Sequence, residues 1–167
     1  MKVREMIAED VRTSPHTNAA NFYSDLLSGN FDAVLDAFEG EPIIDAPRNG
    51  LVTGYKDVAN FLGEEKAWLE SLGASIDKLK LIKSTASPER VVHEVGIQLQ
   101  IPTTPCPIMF ANVSDIGISG ITAMRLYYSY GFLNRNQQFD RKVLQPMDGS
   151  LFESLLFRIA DSQCNEV

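Results

Sequence analysis

The sequence predicts an α+β domain: helices come first, and a curved antiparallel sheet then wraps around them as a cone with an apolar interior and an open mouth. Three observations carry this. Up to about Leu72, apolar residues recur at the 3.6-residue period of helices that bury one face. From about Ile76 to Tyr130 the period drops to that of strands. The links between those strand runs are short, and short links imply antiparallel pairing because parallel neighbours need long crossovers. Helices gathered at one end of such a sheet make the α+β pattern.

Each element has its own signal. Val3, Met6, Ile7 and Val11 suggest an amphipathic leader over residues 1–13. Ser14 offers a capping hydroxyl just before Pro15, a helix start. Ala19, Phe22, Tyr23 and Leu26 then share one helix face, and Gly29 stops that helix as a left-handed cap. Asn30 caps a second helix with Phe31, Val34, Leu35 and Phe38 on its face, ended by Gly40. The run from Pro42 to Pro47, the turn Arg48-Asn49-Gly50 and the run Leu51-Val52-Thr53 read as a small edge hairpin. Gly54 introduces a long helix to about Leu72, closed by Gly73.

Strands are expected from about Ile76 to Thr85, Arg90 to Ile101, Ile108 to Val113 and Ile121 to Tyr130. Ser87-Pro88-Glu89 turns the first pair, and the stretch from Asp115 to Gly120 turns the last. A polar stretch, Asn134 to Gln145, leads to Asp148, which caps a final helix bearing Leu151, Phe152, Leu155, Leu156 and Ile159. The expected division is a leader (1–13), a domain (14–132) and a C-terminal extension (133–167). The apolar face of that last helix should dock on the domain or on a partner subunit.

A chain of 167 residues can build one core without a disulfide or structural metal. Hydrophobic content of 44% and charged content of 22% are ordinary for a globular protein. The net charge of −7 argues against nucleic acid and anionic membrane surfaces as partners. Cys106 and Cys164 form no disulfide framework and no metal spacing. The opening residues carry charges where a signal peptide has an apolar run, and no stretch approaches the ~20 apolar residues of a membrane span. The expected location is the cytoplasm. No glycine-rich phosphate loop, nucleophile elbow or metal cluster is present, so neither cofactor nor metal is expected.

The run from Phe22 to Val34 (FYSDLLSGNFDAV) resembles the opening of the nuclear transport factor 2-like superfamily. So do Pro47, Gly50 and Gly54 before a long helix, and so does the last strand from Ile121 to Ser129. The pattern, over residues 18 to about 130, is similar to the SnoaL-like branch, which includes polyketide cyclases and ketosteroid isomerase. The resemblance implies a cone-shaped fold reused for isomerases, dehydratases, cyclases, hydrolases, ligand carriers and non-catalytic dimerisation modules. Ketosteroid isomerase has its general-base Asp where this sequence has Ala46, with Asp45 one step earlier and so on the opposite strand face. The isomerase's oxyanion Tyr corresponds to Phe22, with Tyr23 rotated by about 100°. Its second oxyanion acid falls near Phe110 or Ala111. All three positions depart, so steroid isomerisation is not expected.

Two polar residues break the binary pattern. Glu65 falls at the centre of the long helix's apolar stripe, among Val58, Phe61, Leu62, Leu69 and Leu72. A carboxylate there is costly unless it has a partner or reaches water. It reads as a pocket acid or base with a raised pKa; the alternatives are a rim Glu reaching solvent or a buried Glu bonded for structure. His93 lies on the more apolar strand face, with Val91, Val95 and Ile97, as a second acid–base candidate or a satisfied core histidine. The sharp expectation is that Glu65 and His93 face each other across one cavity as a catalytic pair. Phe22, Phe61, Leu62, Met109 (or its neighbour Phe110), Met124, Leu126 and Tyr128 would line it, with Trp68 as lid or packing residue. Alternatively, these side chains fill a core.

Two functions compete. One is a protein that binds a small apolar molecule in the cone, with acid–base isomerase, cyclase or dehydratase chemistry at Glu65 and His93. The other is a non-catalytic homodimeric module, paired through the outer sheet face of Glu94, Gln98, Gln100, Arg125 and Tyr127, a polar surface with an aromatic suited to a dimer seam.

Overall fold

The structure is a computed structural model and describes residues 14–100 and 107–137. The leader over 1–13, the helix expected after Asp148, and both cysteines lie outside the described residues.

The helical half follows from its caps. The Ser14 hydroxyl accepts from the Thr17 amide and opens α1 (Pro15–Ala20). The single helix expected here divides at Asn21, and α2 (Phe22–Ser28) continues beyond it. Gly29 ends α2 at φ 77°, a left-handed geometry that costs glycine little. Then come α3 (Phe31–Asp36), the hairpin β1 (Ile43–Ala46) and β2 (Gly50–Thr53), and the long α4 (Tyr55–Ser71). Leu72 caps α4 and Gly73 turns the chain away at φ 87°.

A single 3-10 turn, Ile76–Lys78, precedes β3 (Leu79–Ala86), so that strand begins three residues later than its apolar run suggested. It is followed by β4 (Arg90–Ile97), β5 (Ile108–Ile116), β6 (Ile121–Tyr127) and α5 (Tyr130–Gln137). β4 stops short of Ile101 because the chain turns to the helix end, where the Gln100 amide donates to the Leu72 carbonyl at 2.8 Å. β5 runs past Val113, which shrinks the following turn to one closed by Gly117 N–H donating to Gly120 O at 2.8 Å. α5 begins within the span expected to be strand and then loop. The Tyr130 ring packs 5.6 Å from Trp68 and Leu133 is fully buried, so tertiary contact overrides a polar local sequence.

The six strands form one sheet in the order β2-β1-β6-β5-β4-β3. All neighbours are antiparallel except β1 and β6, which run parallel with Ile44 beside Met124. The hairpin therefore supplies an inner strand as well as the edge: β2 is the edge, while β1 closes against the last strand. Pro42 and Pro47 flank β1 rather than interrupt it, so neither removes a ladder hydrogen bond.

One sheet face packs against the helices. Phe22, Leu26, Ile44, Val58, Leu62, Leu69, Ile97, Phe110, Ile121 and Met124 are almost completely buried there. The outer face carries Asp45, Glu94, Arg90, Asp115, Arg125 and Tyr127, in register across β1, β4, β5 and β6. Among the described residues no helix is long and apolar enough to cross a membrane.

Candidate functional site

Three turns of α4 bring Phe61, Leu62, Glu65, Trp68 and Leu69 onto the buried side of that helix. Glu65 has no solvent exposure. Both of its oxygens are occupied: Tyr128 Oη donates to Oε1 at 2.6 Å, and Arg48 Nε donates to Oε2 at 3.1 Å. Tyr128 arrives just after β6, and Arg48 from the turn between β1 and β2. The carboxyl, carried by α4, is thus gripped by two other segments of the fold.

An aromatic wall surrounds this centre. The Arg48 guanidinium lies 5.6 Å over the Trp68 ring, a cation–π distance. Trp68 packs against Tyr128 at 5.3 Å, Tyr128 against Phe110 at 5.3 Å, and Phe110 against Tyr23 at 5.7 Å. Burial raises the Glu65 pKa, and the bonds from Tyr128 and Arg48 and the Arg48 charge pull only partly against it. Burial and then the Glu65 charge push the hydroxyls of Tyr23 and Tyr128 far above the ordinary tyrosine range, so both keep their protons. Three further polar atoms of this cluster are buried without a hydrogen-bond partner: Tyr23 Oη, Trp68 Nε1 and Arg48 Nη2. Glu64 Oε2 lies 3.7 Å from Arg48 Nη2, an ion-pair distance only. Unpaired buried donors are uncommon and ask for an acceptor. Of the group, Arg48 alone reaches the surface appreciably, with 20% of its side chain exposed.

His93 is elsewhere. It is buried on the inner face of β4, opposite Asn112 of β5, which in turn lies opposite Leu126 of β6. Tyr128 is two residues beyond Leu126, so His93 stands two strands, about 10 Å, across the sheet from the strand that leads to it. No bond, ion pair or shared partner joins His93 to Glu65. The structure therefore does not bring the expected pair together; each residue has its own polar surroundings.

The remaining expected residues divide more simply. Phe22, Phe61, Leu62, Trp68, Met124, Leu126 and Tyr128 all face the interior and are buried, in contact with one another as a packed core. Met109 points to the outer face. It is Phe110, 1% exposed, that faces the helices, because β5 enters the sheet with its even-numbered residues inward. Ala46 is buried and Asp45 exposed, as one-step alternation requires. Tyr23 is 1% exposed beside Phe22, since a buried helix face is wide enough to hold both neighbours. Arg48 and Tyr23 are the members the sequence reading did not assign. No three His, Cys, Asp or Glu side chains gather as a metal site among the described residues.

Comparison with solved structures agrees with the architecture. A protein with a ketosteroid isomerase-like fold from Catenulispora acidiphila DSM 44928, in complex with trimethylamine, superposes with a TM-score of 0.56 at 17% identity, covering 77% of this chain and 96% of its own. TerC co-crystallised with polyporic acid gives 0.56 at 15% identity, covering 75% and 99%. An NTF2-like protein of unknown function from Cytophaga hutchinsonii ATCC 33406 gives 0.53 at 13% identity, covering 75% and 98%. No protein-family model and no curated protein sequence matches the chain. The chain has the nuclear transport factor 2-like fold, the cone shared by ketosteroid isomerase-like and polyketide cyclase-like proteins.

Proposed function

We propose that the domain binds a small, largely apolar molecule that ends in a hydrogen-bond-accepting oxygen, at the centre built around Glu65. The observation that carries this is a set of three buried donors without a hydrogen-bond partner, Tyr23 Oη, Trp68 Nε1 and Arg48 Nη2 (the last ion-paired with Glu64), in the cluster around a carboxyl whose pKa is raised. A carbonyl or phenolic oxygen would satisfy these donors, and its apolar body would take its place by displacing part of the packing among Trp68, Tyr128, Phe110 and Tyr23. Arg48, the exposed member on a hairpin turn, is the natural point of entry. A carboxyl whose pKa burial raises above the ordinary range also suits proton transfer next to a carbonyl. Ionised Glu65 would take a carbon-bound proton while the electron pair moves to the ligand oxygen, held by those donors. His93 has no part in this centre.

The test is a thermal-shift and NMR screen of aromatic and alicyclic ketones and phenols against the wild type, Tyr23→Phe and Glu65→Gln. Ligands that stabilise the wild type should lose most of their effect in Tyr23→Phe. If no ketone or phenol shifts the wild type, the proposal fails.

A second reading has its own support. Ile82 and Tyr127 are 41% and 45% exposed on the outer sheet face, apolar surface that a partner would cover. We propose that two copies pair there. Sedimentation should show a dimer that Tyr127→Lys dissociates, and a monomer for the wild type would exclude it.

A further inference from the structure

Among the described residues, six buried side-chain polar atoms have no hydrogen-bond partner. Three are the donors of the Glu65 centre. The other three are His93 Nδ1, Asn112 Oδ1 and Ser114 Oγ, on residues 3%, 1% and 0% exposed. They form one group. His93 and Asn112 are register partners on β4 and β5, and Ser114 is the next inward residue along β5. A buried polar atom left unpaired costs stability, so two such sets in one interior ask for a shared cause.

The two sets are joined by β5, whose inward residues run Phe110, Asn112, Ser114. Phe110 packs against Tyr128 at 5.3 Å and Tyr23 at 5.7 Å, so it is part of the wall of the Glu65 centre. Asn112 lies two residues further along, about 7 Å away, and Ser114 about 7 Å beyond that. A bicyclic molecule with its oxygen at the Glu65 centre therefore reaches the second set with its other end.

The second set favours one kind of group. Asn112 Nδ2 is committed to Ala19 O at 2.8 Å, which fixes the amide and leaves Oδ1 as an acceptor that needs a donor. Ser114 Oγ can donate and accept. Asn112 sits close enough to His93 to support its charged form, yet neither His93 Nδ1 nor Asn112 Oδ1 has a hydrogen bond of good geometry. Burial favours the neutral ring, whose Nδ1 either donates or accepts. The register neighbours of the set are uncharged: Ser84 on β3, Val91 on β4, and Leu126 and Met124 on β6. A carboxylate would bring a negative charge against Oδ1, and an ammonium would find no counter-charge among them. A hydroxyl fits, since it donates to Oδ1 and accepts from Ser114 Oγ or the imidazole.

We infer that His93, Asn112 and Ser114 form a second subsite, which holds a hydroxyl at the far end of the molecule whose accepting oxygen lies at the Glu65 centre. This subsite rests on the role proposed for that centre and narrows the ligand to neutral, hydroxylated ring ketones. Any proton transfer belongs to the carbonyl end. The hydroxyl end anchors and orients, so His93 is here a binding residue and not a catalytic one. Between the two ends, the body of the molecule displaces part of the packing around Phe110.

Matched pairs of ketones test this: α-tetralone against its analogue hydroxylated on the aromatic ring opposite the carbonyl, and a phenylcyclohexanone against its para-hydroxyphenyl analogue. Each is titrated by NMR into the full chain as wild type, Ser114→Ala and Tyr23→Phe. The hydroxyl should tighten wild-type binding about tenfold in the pair whose length fits, as two hydrogen bonds to buried partners would. Ser114→Ala removes an unpaired hydroxyl without adding bulk, and should bring the ratio within that pair to about threefold or less. Tyr23→Phe should weaken both members and leave their ratio. Should Ser114→Ala not fold, the His93 ring resonances of the wild type decide, shifting with the hydroxylated member and not with its parent. Ketones that bind with no gain from the hydroxyl leave the Glu65 centre standing and overturn the subsite, with water serving its three atoms. A gain that survives Ser114→Ala undiminished also overturns it. Binding of neither member of either pair overturns both.

Discussion

Tyr128→Phe isolates the strongest single contact at the Glu65 centre. The change removes one hydroxyl and leaves a ring of the same shape against Trp68 and Phe110, both 5.3 Å away, so packing is preserved. What is lost is a 2.6 Å bond between two buried side chains. A hydrogen bond to a charged acceptor contributes about 1.5–3 kcal/mol, and a neutral one about 0.5–1.5 kcal/mol. For a chain of this size each kcal/mol moves the melting temperature by about 2–4 °C, so the variant should melt roughly 3–12 °C lower where Glu65 is ionised. The Tyr128 bond also lowers the Glu65 pKa, so the variant's carboxyl takes up its proton more readily. The gap between wild type and variant should therefore widen as pH rises and Glu65 ionises. Urea titrations at about pH 5 and about pH 8 give both values. The companion Glu65→Leu/Tyr128→Phe, which removes both partners, should recover part of the loss. A deficit below about 0.5 kcal/mol, or an equal one at both pH values, would show that the hydroxyl does not support an ionised carboxylate.

Other outcomes follow from the same coordinates. Burial raises the folded-state pKa of Glu65, so its contribution is greatest below the ordinary 4.5 and is lost as pH rises through the folded value; Glu65→Gln should gain stability on the wild type across that window, measured as the difference between two urea curves. Gly73→Ala places a Cβ 2.5 Å from Gln100 Cγ at φ +87°, and should cost about 1–2 kcal/mol in a thermal melt. Asn112→Ala removes the bond to Ala19 O and should cost about 0.5–1.5 kcal/mol, appearing first as faster exchange over residues 14–20.

How much of this was legible in the sequence depends on whether a residue announces itself through periodicity. Glu65 did: a lone carboxylate in the middle of an apolar stripe can only be buried or bent outward, and the structure buries it. His93 was equally visible as an inward strand residue. Its separation from the Glu65 centre was not, because alternation gives the face of a strand but not the order of strands, and the order puts β5 between His93 on β4 and the β6 strand that leads to Tyr128. Met109 and Phe110 show the same gap at smaller scale, where a one-residue shift in phase exchanges core for surface. Arg48 had no signal at all. It sits in a hairpin turn, outside any period, and becomes part of the site only because β1 lies inside the sheet rather than at its margin. α5 was hidden for a related reason: Tyr130 and Leu133 are held by contact with Trp68 and the core, and their own neighbours in sequence are polar.

The two buried polar centres share a logic but respond to acid in opposite ways. Each holds an ionisable group whose neutral form burial favours, Glu65 by raising its pKa and His93 by lowering it. Acid neutralises the first and charges the second. As pH falls, the Glu65 centre therefore becomes easier to keep buried while His93 becomes harder to keep buried. The Glu65 centre is compensated in its charged form, with Arg48 and Tyr128 on its two oxygens, so ionisation there need not open the fold. His93 has burial and a second histidine against its charged form and Asn112 only partly in its favour, so charging it costs the folded state stability. A scan of global stability alone would show these effects partly cancelling. Two variants separate them in urea titrations across a pH series: Glu65→Gln should remove the part of the dependence that favours acid, and His93→Gln the part that opposes it.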